Sequence, residues 1–376
     1  MRRLVAALII SSTAVISGAC SESTSSGGAY RPRTRTYHIA AQAEDWNYAP
    51  LGHDPVFDQD VPSPWGDSLV YPKLRYVAYS NAEFTTALPQ PEHRGILGPE
   101  IRAVVGDTLQ VEFFNQTDRP LSMHPHGVVY TLENEGAQYF PYRGGGDRVP
   151  PGFKYTYTWM VDDKSGPSPG EPSSRVWLYH SHVMAEEEIY AGLIGTIVVT
   201  DPRHARDDAT PDDIDQEFTT LWMVFDENSE GTPEDEEEPN LKHAINGRFF
   251  GNLTGLTMYL NQRVRWYLVA LGSEVDLHTP HWHGEKVLLE GRTYTDVVEL
   301  LPASMKTADM IADNPGVWLL HCHVADHMIA GMFTTFLINS TSGPVNMTPR
   351  TNDEGWFGFG RSLPAPTHPY TVHGPH

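Results

Sequence analysis

Two stretches of this chain repeat each other, and the repeat constrains the fold more than any other feature. Arg175–Leu193 reads RVWLYHSHVMAEEEIYAGL, and Gly316–Met332 reads GVWLLHCHVADHMIAGM. Upstream of each lies a second matched pair, His124-Pro125-His126-Gly127 and His281-Trp282-His283-Gly284. Before each of those runs a segment of near-alternating apolar and polar residues, Val104–Asn115 and Tyr259–Leu271. Alternation with a period of two is the pattern of a strand with one buried face. A duplicated unit of roughly 130–160 residues built this way predicts an all-β chain of two packed sandwiches. The 30 prolines and 32 glycines agree, since they favour short strands and tight turns over long helices.

The remaining chain divides around this repeat. Residues 1–20 (MRRLVAALIISSTAVISGAC) combine two arginines, an apolar run and small residues before Cys20, as a secretory signal does. They resemble a lipoprotein signal with Cys20 as the lipidated residue, although Ser17 departs from the usual leucine; an ordinary signal peptide is the alternative. The expectation is an exported protein, periplasmic or at the cell surface, with a lipid anchor at Cys20. Residues 21–36 then form a flexible tether. The first domain spans 37–201, a polar linker 202–217, the second domain 218–340, and a Pro/His-rich tail 341–376. The net charge of −22 argues against a nucleic-acid partner, because phosphate binding needs basic surface.

Ten of the 18 histidines fall in four clusters: His124/His126, His180/His182, His278/His281/His283 and His321/His323/His327. A lone buried histidine is usually a satisfied core residue. Four clusters containing H-x-H pairs are different, because residues i and i+2 of a strand share a face and present two imidazoles together. Eight paired imidazoles exceed what a structural zinc site needs. In His321-Cys322-His323 the same alternation sends the cysteine to the opposite face. Apart from Cys20, Cys322 is the only cysteine, so it has no disulfide partner. His278, Cys322 and His327, with Met332 in a weak axial place, make a blue-copper ligand set.

These clusters resemble, in order and spacing, the ligand motifs of the multicopper oxidases: HPHG, HSH, HTPHWHG and HCHVADHMIAGM. From Tyr37 to Ile338 the chain is similar to ceruloplasmin- and hephaestin-like domains, through MVFDEN, HAING, NLTGLTMY, EVDLH, GPSPGEPSS and NPGVWLLHCHVADH. The resemblance implies two cupredoxin-like Greek-key β-sandwich domains and four coppers per chain. Type 1 copper would take His278, Cys322, His327 and Met332. Type 2 would take His124 and His281. One type 3 copper would take His126, His180 and His323, and the other His182, His283 and His321. Ser181 and Leu193 stand where Cys322 and Met332 stand, so the first domain lacks a type 1 centre. The implied reaction is one-electron oxidation of a substrate coupled to four-electron reduction of O2 to water.

Each half supplies four of the eight trinuclear histidines, so a cluster must form between a first and a second domain. By analogy with six-domain relatives, three chains would close a ring, giving a homotrimer with clusters at subunit interfaces; sharing within one chain is the alternative. The resemblance also implies an Fe(II) site of Glu238, His243 and Asp326, with Glu274 from a neighbouring domain, because hard oxygen ligands suit iron. Read as ordinary structure, Glu238 belongs to a solvated acidic loop, His243 to the core, and Asp326 orients His327. Fe(II) is the favoured reducing substrate; laccase-like oxidation of phenols, or of Cu(I) or Mn(II), is the alternative. A two-domain nitrite reductase would need only one three-histidine site, and a non-enzymatic relative would have lost ligands.

Overall fold

The computed structural model describes residues 30–141, 144–229, 232–233 and 238–342. The expected signal, most of the expected tether, the acidic residues 234–237 and all but the first two residues of the expected tail lie outside them. In the first half, the strands are β1 (Thr34–Asn47), β2 (Val70–Tyr79), β3 (Glu100–Val104) and β4 (Thr108–Asn115). They are followed by β5 (His124–Pro125), β6 (Lys154–Met160), β7 (Ser174–His180), helix α1 (Ala185–Tyr190) and β8 (Ile194–Thr200). The second half begins with β9 (Gln216–Asp226), β10 (Leu241–Ile245), β11 (Thr257–Leu260) and β12 (Arg263–Ala270). It continues with β13 (Pro280–Trp282), β14 (Val287–Leu289), β15 (Thr293–Thr295) and β16 (Met305–Ile311). It closes with β17 (Gly316–Cys322), helix α2 (Ala325–Ile329) and β18 (Phe333–Ser342).

The halves share one topology. Sheets β2-β1-β4-β6 and β3-β8-β7-β5 make the first sandwich; β10-β9-β12-β16 and β11-β18-β17-β13 repeat that order in the second. Only β14 and β15, added beyond β16, break the match. In both halves the chain crosses between sheets and pairs parallel, β1 with β4 and β3 with β8, then β9 with β12 and β11 with β18. This is the expected pair of cupredoxin-like Greek-key sandwiches.

The alternating segments differ in detail from the sequence reading. Each is two strands in different sheets rather than one. Gly106 (φ 99°) separates β3 from β4, and Asn261 (φ 68°) separates β11 from β12; both residue types tolerate the left-handed turn. Strand β1 begins at Thr34, inside the expected tether, because the Arg33 N–H, the Arg35 guanidinium and the Tyr30 hydroxyl all donate to Asp107. Strand β12 is not half-buried but buried along its whole length. Its Trp266 and Leu268 face the core of the second sandwich, whereas Tyr267 and Val269 face the first domain. Arg265 is tolerated there because its guanidinium forks onto Asp309 at 2.7 and 2.8 Å.

Tyr267 and Val269 belong to a third apolar cluster that joins the two sandwiches. Val176 and Leu178 of β7, with Ile194 and Val198 of β8, meet Leu221, Met223 and Phe225 of β9 in it. Alternate residues of the same strands fill the intradomain cores, Tyr179 and Ile197 on one side and Trp222 and Val224 on the other. A partly buried polar set, Glu100, Arg94 and Arg102 against Glu217 and Thr219, lines one margin of this junction.

Candidate metal centres

The loop after β17 folds back on itself. Cys322 N–H donates to Met332 O at 3.0 Å, and Met332 N–H to His327 O at 2.9 Å. That places the sulfurs of two fully buried residues, Cys322 and Met332, in the second core. His278 arrives from the opposite side, held by its backbone bridge to Leu300. Its Nδ1 lies 3.2 Å from His327 Nδ1, and His327 Nδ1 lies 3.7 Å from Cys322 Sγ. Two nitrogens on one tetrahedral metal are about 3.3 Å apart, and a nitrogen and a thiolate sulfur about 3.5 Å. The spacing therefore fits a single ion at this donor set.

The chemistry of the donors agrees. Burial pushes the Cys322 thiol up, and it pulls His327 down to about 3 and His278 down as well. The imidazoles are neutral and can donate a lone pair, whereas the thiol needs a bound cation to give up its proton. Asp276 Oδ1 takes the His278 Nε2–H at 3.1 Å, which leaves Nδ1 for the metal. Thr279 N–H points at Cys322 Sγ at 3.3 Å. Neither Asp276 nor the Thr279 amide was assigned from sequence. A carboxylate two residues before a ligand histidine was the available signal for Asp276; a backbone donor carries none.

The paired histidines form two equivalent quartets. His124 of β5 stands opposite His180 of β7, as His281 of β13 stands opposite His321 of β17. His180 and His321 donate Nδ1–H to the carbonyls of Ser181 and Cys322, each at 2.8 Å, and His124 donates to Glu135 O at 2.7 Å. Each bond fixes the ring and frees Nε2. His126 Nε2 lies 3.1 Å from His180 Nε2; His281 Nδ1 and His283 Nε2 each lie 3.1 Å from His321 Nε2. His182 stacks on His180 at 5.6 Å, and His323 lies 5.5 Å from His321. Among the described residues, no ring contact and no candidate metal group combines the two quartets.

Burial lowers His126 to about 4 and His180 to about 3 from 6.5. With folded-state values below the unfolded one, the unfolded chain takes up protons first as pH falls through 6.5. The copper-free protein should therefore lose thermal stability steadily from pH 7 to pH 4. A melting temperature independent of pH over that range would contradict neutral, buried imidazoles.

The first domain keeps the shape of the cysteine site without its donors. Ser122 N–H donates to Ser181 Oγ at 3.0 Å, as Thr279 N–H does to Cys322 Sγ. Leu193 N–H donates to Glu188 O, as Met332 N–H does to His327 O. Glu188 and Leu193 thus occupy the places of His327 and Met332, and buried Leu121 that of His278.

Beside His327 lies His243 of β10, 5% exposed, with ring centroids 4.9 Å apart. Among the described residues, neither nitrogen of His243 has a hydrogen-bond partner. Glu238 Oε1 sits 3.6 Å from His243 Nε2, and the imidazole holds the Glu238 carboxyl below its usual range. Asp326 and Glu274 are exposed, and among the described residues neither is bonded to Glu238 or His243. Two of the four expected iron ligands therefore meet in one chain. A further His204–Asp212–Asp213 group, in the connection between domains, is occupied by its own bonds: His204 to Asp212 at 3.1 Å and Ser173 to Asp213 at 2.5 Å.

A fold of two cupredoxin-like sandwiches carrying a His2Cys set and two histidine quartets defines a copper protein class, and comparison agrees. Residues 93–204 and 225–342 each match a multicopper oxidase family model. The chain belongs to the multicopper oxidase family. It is 36% identical to hephaestin of Mus musculus over 361 residues, covering 85% of this chain and 30% of that protein. Identity is 34% to ferroxidase HEPHL1 of Homo sapiens (83% and 30% covered) and 35% to ceruloplasmin of Homo sapiens (81% and 30% covered). The chain thus spans about 30% of the length of these relatives. A solved structure described as a multicopper oxidase shares the fold at a TM-score of 0.58 and 19% identity, with 81% of this chain and 89% of that one covered.

Proposed function

We propose that the protein is a ferroxidase of the multicopper oxidase type, taking electrons from Fe(II) and passing them to O2. The observation that carries this reading is the Glu238–His243 pair set against His327, with Cys322 covalently adjacent to His321 and His323. Bound copper, four ions per chain, would supply a one-electron relay at the cysteine site and the reduction of O2 to water at the histidine quartets. Glu238 and His243 bind Fe(II), and the carboxylate favours the Fe(III) product. The His327 edge lies against that pocket, and two peptide units link Cys322 to the quartet histidines on either side.

The donor sets for the four ions are those given by the resemblance: His278, Cys322, His327 and Met332 at one site, and both quartets together at the other. Separation of the quartets within one chain favours clusters completed between subunits, in a homotrimer. Met184, two residues after His182, is exposed and apolar, as are Leu301 and Ile329 near the His278–His327 site. Glu274 of a neighbouring subunit and Asp326 would complete the iron pocket. The N-terminal sequence supports export and a lipid anchor at Cys20. No helix among the described residues is long and apolar enough to cross a membrane.

The test is Glu238→Ala with His243→Ala. Fe(II) turnover should fall by about 100-fold, as loss of groups around a metal centre commonly costs, with the blue absorption unchanged. A phenol that reaches the copper edge by outer-sphere transfer should be oxidised as before. Equal loss for iron and phenol would give the site to laccase-like oxidation instead.

A further inference from the structure

Lys242 and His243 are neighbours on β10, so their side chains leave opposite faces of the strand. His243 turns to His327, whereas Lys242 turns to the apolar junction between the domains. Lys242 is fully buried, its ammonium 5.2 Å from the Tyr71 ring and 5.9 Å from the Phe249 ring. Among the described residues its two hydrogen-bond acceptors are both backbone carbonyls, Pro239 O at 2.8 Å and Trp65 O at 3.2 Å. Pro239 directly follows Glu238 in the turn Glu238–Asn240, and Trp65 lies in the first half of the chain, between β1 and β2. One ammonium thus ties that turn to the first domain. A second first-domain group reaches the same turn: the Tyr71 hydroxyl of β2 donates to Asn240 Oδ1 at 3.1 Å.

Burying an ammonium is unfavourable, and two neutral carbonyls offset only part of the penalty. What the charge secures is the place of the turn. The Glu238 side chain is 58% exposed and lies 3.6 Å from His243 Nε2, so its aim depends on the backbone that carries it. A carboxylate on a loose turn must be ordered each time a cation binds, and that entropy weakens binding rather than electron transfer. We propose that Lys242 is a positioning residue which, together with Tyr71, clamps this turn to the first domain and so holds the Glu238 carboxylate beside His243. This rests on the reading of Glu238 and His243 as Fe(II) ligands.

Lys242→Met keeps an unbranched stem in the junction and removes the ammonium. Tyr71→Phe keeps the ring and removes only the hydroxyl. In the copper-loaded enzyme Lys242→Met should raise KM for Fe(II) about tenfold, the range of one hydrogen bond from a charged group. Tyr71→Phe should raise it about threefold, the range of a neutral one. Both should retain kcat at saturating iron. Inhibition of iron oxidation by Zn(II), a redox-inert cation, should weaken in parallel, with phenol oxidation and blue absorption unchanged. In a Glu238→Gln background neither change should add to KM, because its target is gone. If Glu238→Gln itself leaves the iron KM unaltered, the ferroxidase reading fails and this inference with it. If Glu238→Gln raises KM while Lys242→Met and Tyr71→Phe do not, or their effects add to it independently, the positioning role alone is overturned. Should Lys242→Met fail to fold, the KM of Tyr71→Phe decides by itself. Loss of blue absorption in Tyr71→Phe would overturn the role, by making the clamp a support of the fold.

Discussion

Cys322→Ser should strip the copper-loaded protein of its intense visible absorption and reduce oxidation of both Fe(II) and phenols to the uncatalysed background, with the fold intact. The absorption requires a thiolate on copper, and Cys322 is the only cysteine among the described residues. That the fold survives is argued by the first domain, where a serine already fills the equivalent place. Ser181 Oγ receives the Ser122 N–H at 3.0 Å, so the Thr279 N–H has a ready acceptor in a serine at 322. Metal analysis should show one copper fewer per chain, and far-UV circular dichroism should match the parent. Retained blue colour would end the assignment of Cys322 as a copper ligand.

Two inactive chains should restore each other. His126→Ala damages only the first-domain quartet, and His283→Ala only the second. Each homogeneous assembly then lacks one histidine at every cluster and should not reduce O2. On refolding together, some interfaces pair the intact first quartet of one variant with the intact second quartet of the other. Activity should return to a fraction of the parent value, set by how often such interfaces form. The experiment reads where the cluster is built, since a cluster inside one chain is broken in every molecule and mixing restores nothing. The separation of the quartets leads us to expect restoration.

The grouping of the histidines and Cys322 was legible because a strand has a period of two. H-x-H forces a shared face, and His-Cys-His forces the sulfur away from its neighbours; the quartet rings and the buried Cys322 follow that rule. Asp276 and the Thr279 amide were not legible, since their roles depend on how a loop between β12 and β13 closes over the site. The same limit explains β12. Local alternation marks one buried face, but its second face is buried by residues of another domain, such as Val176 and Leu178, far away in sequence. Glu238 and His243 could be placed by resemblance, and nothing in local periodicity marks either of them.

The apolar cluster between the sandwiches also bears on motion. Junctions that are polar and small let domains swing, whereas this one is built of Tyr48, Leu178, Phe225 and Tyr267, all fully buried. Opening it would expose side chains that also support β7, β9 and β12, so closure of one domain over the other is not available as a gate. Entry of a reductant to the His278–His327 edge must then be governed at the rim, by side chains such as Glu238 and Leu277 that already face solvent. Access in such a molecule is a matter of side-chain rearrangement on the nanosecond scale rather than of domain hinging on the microsecond-to-millisecond scale.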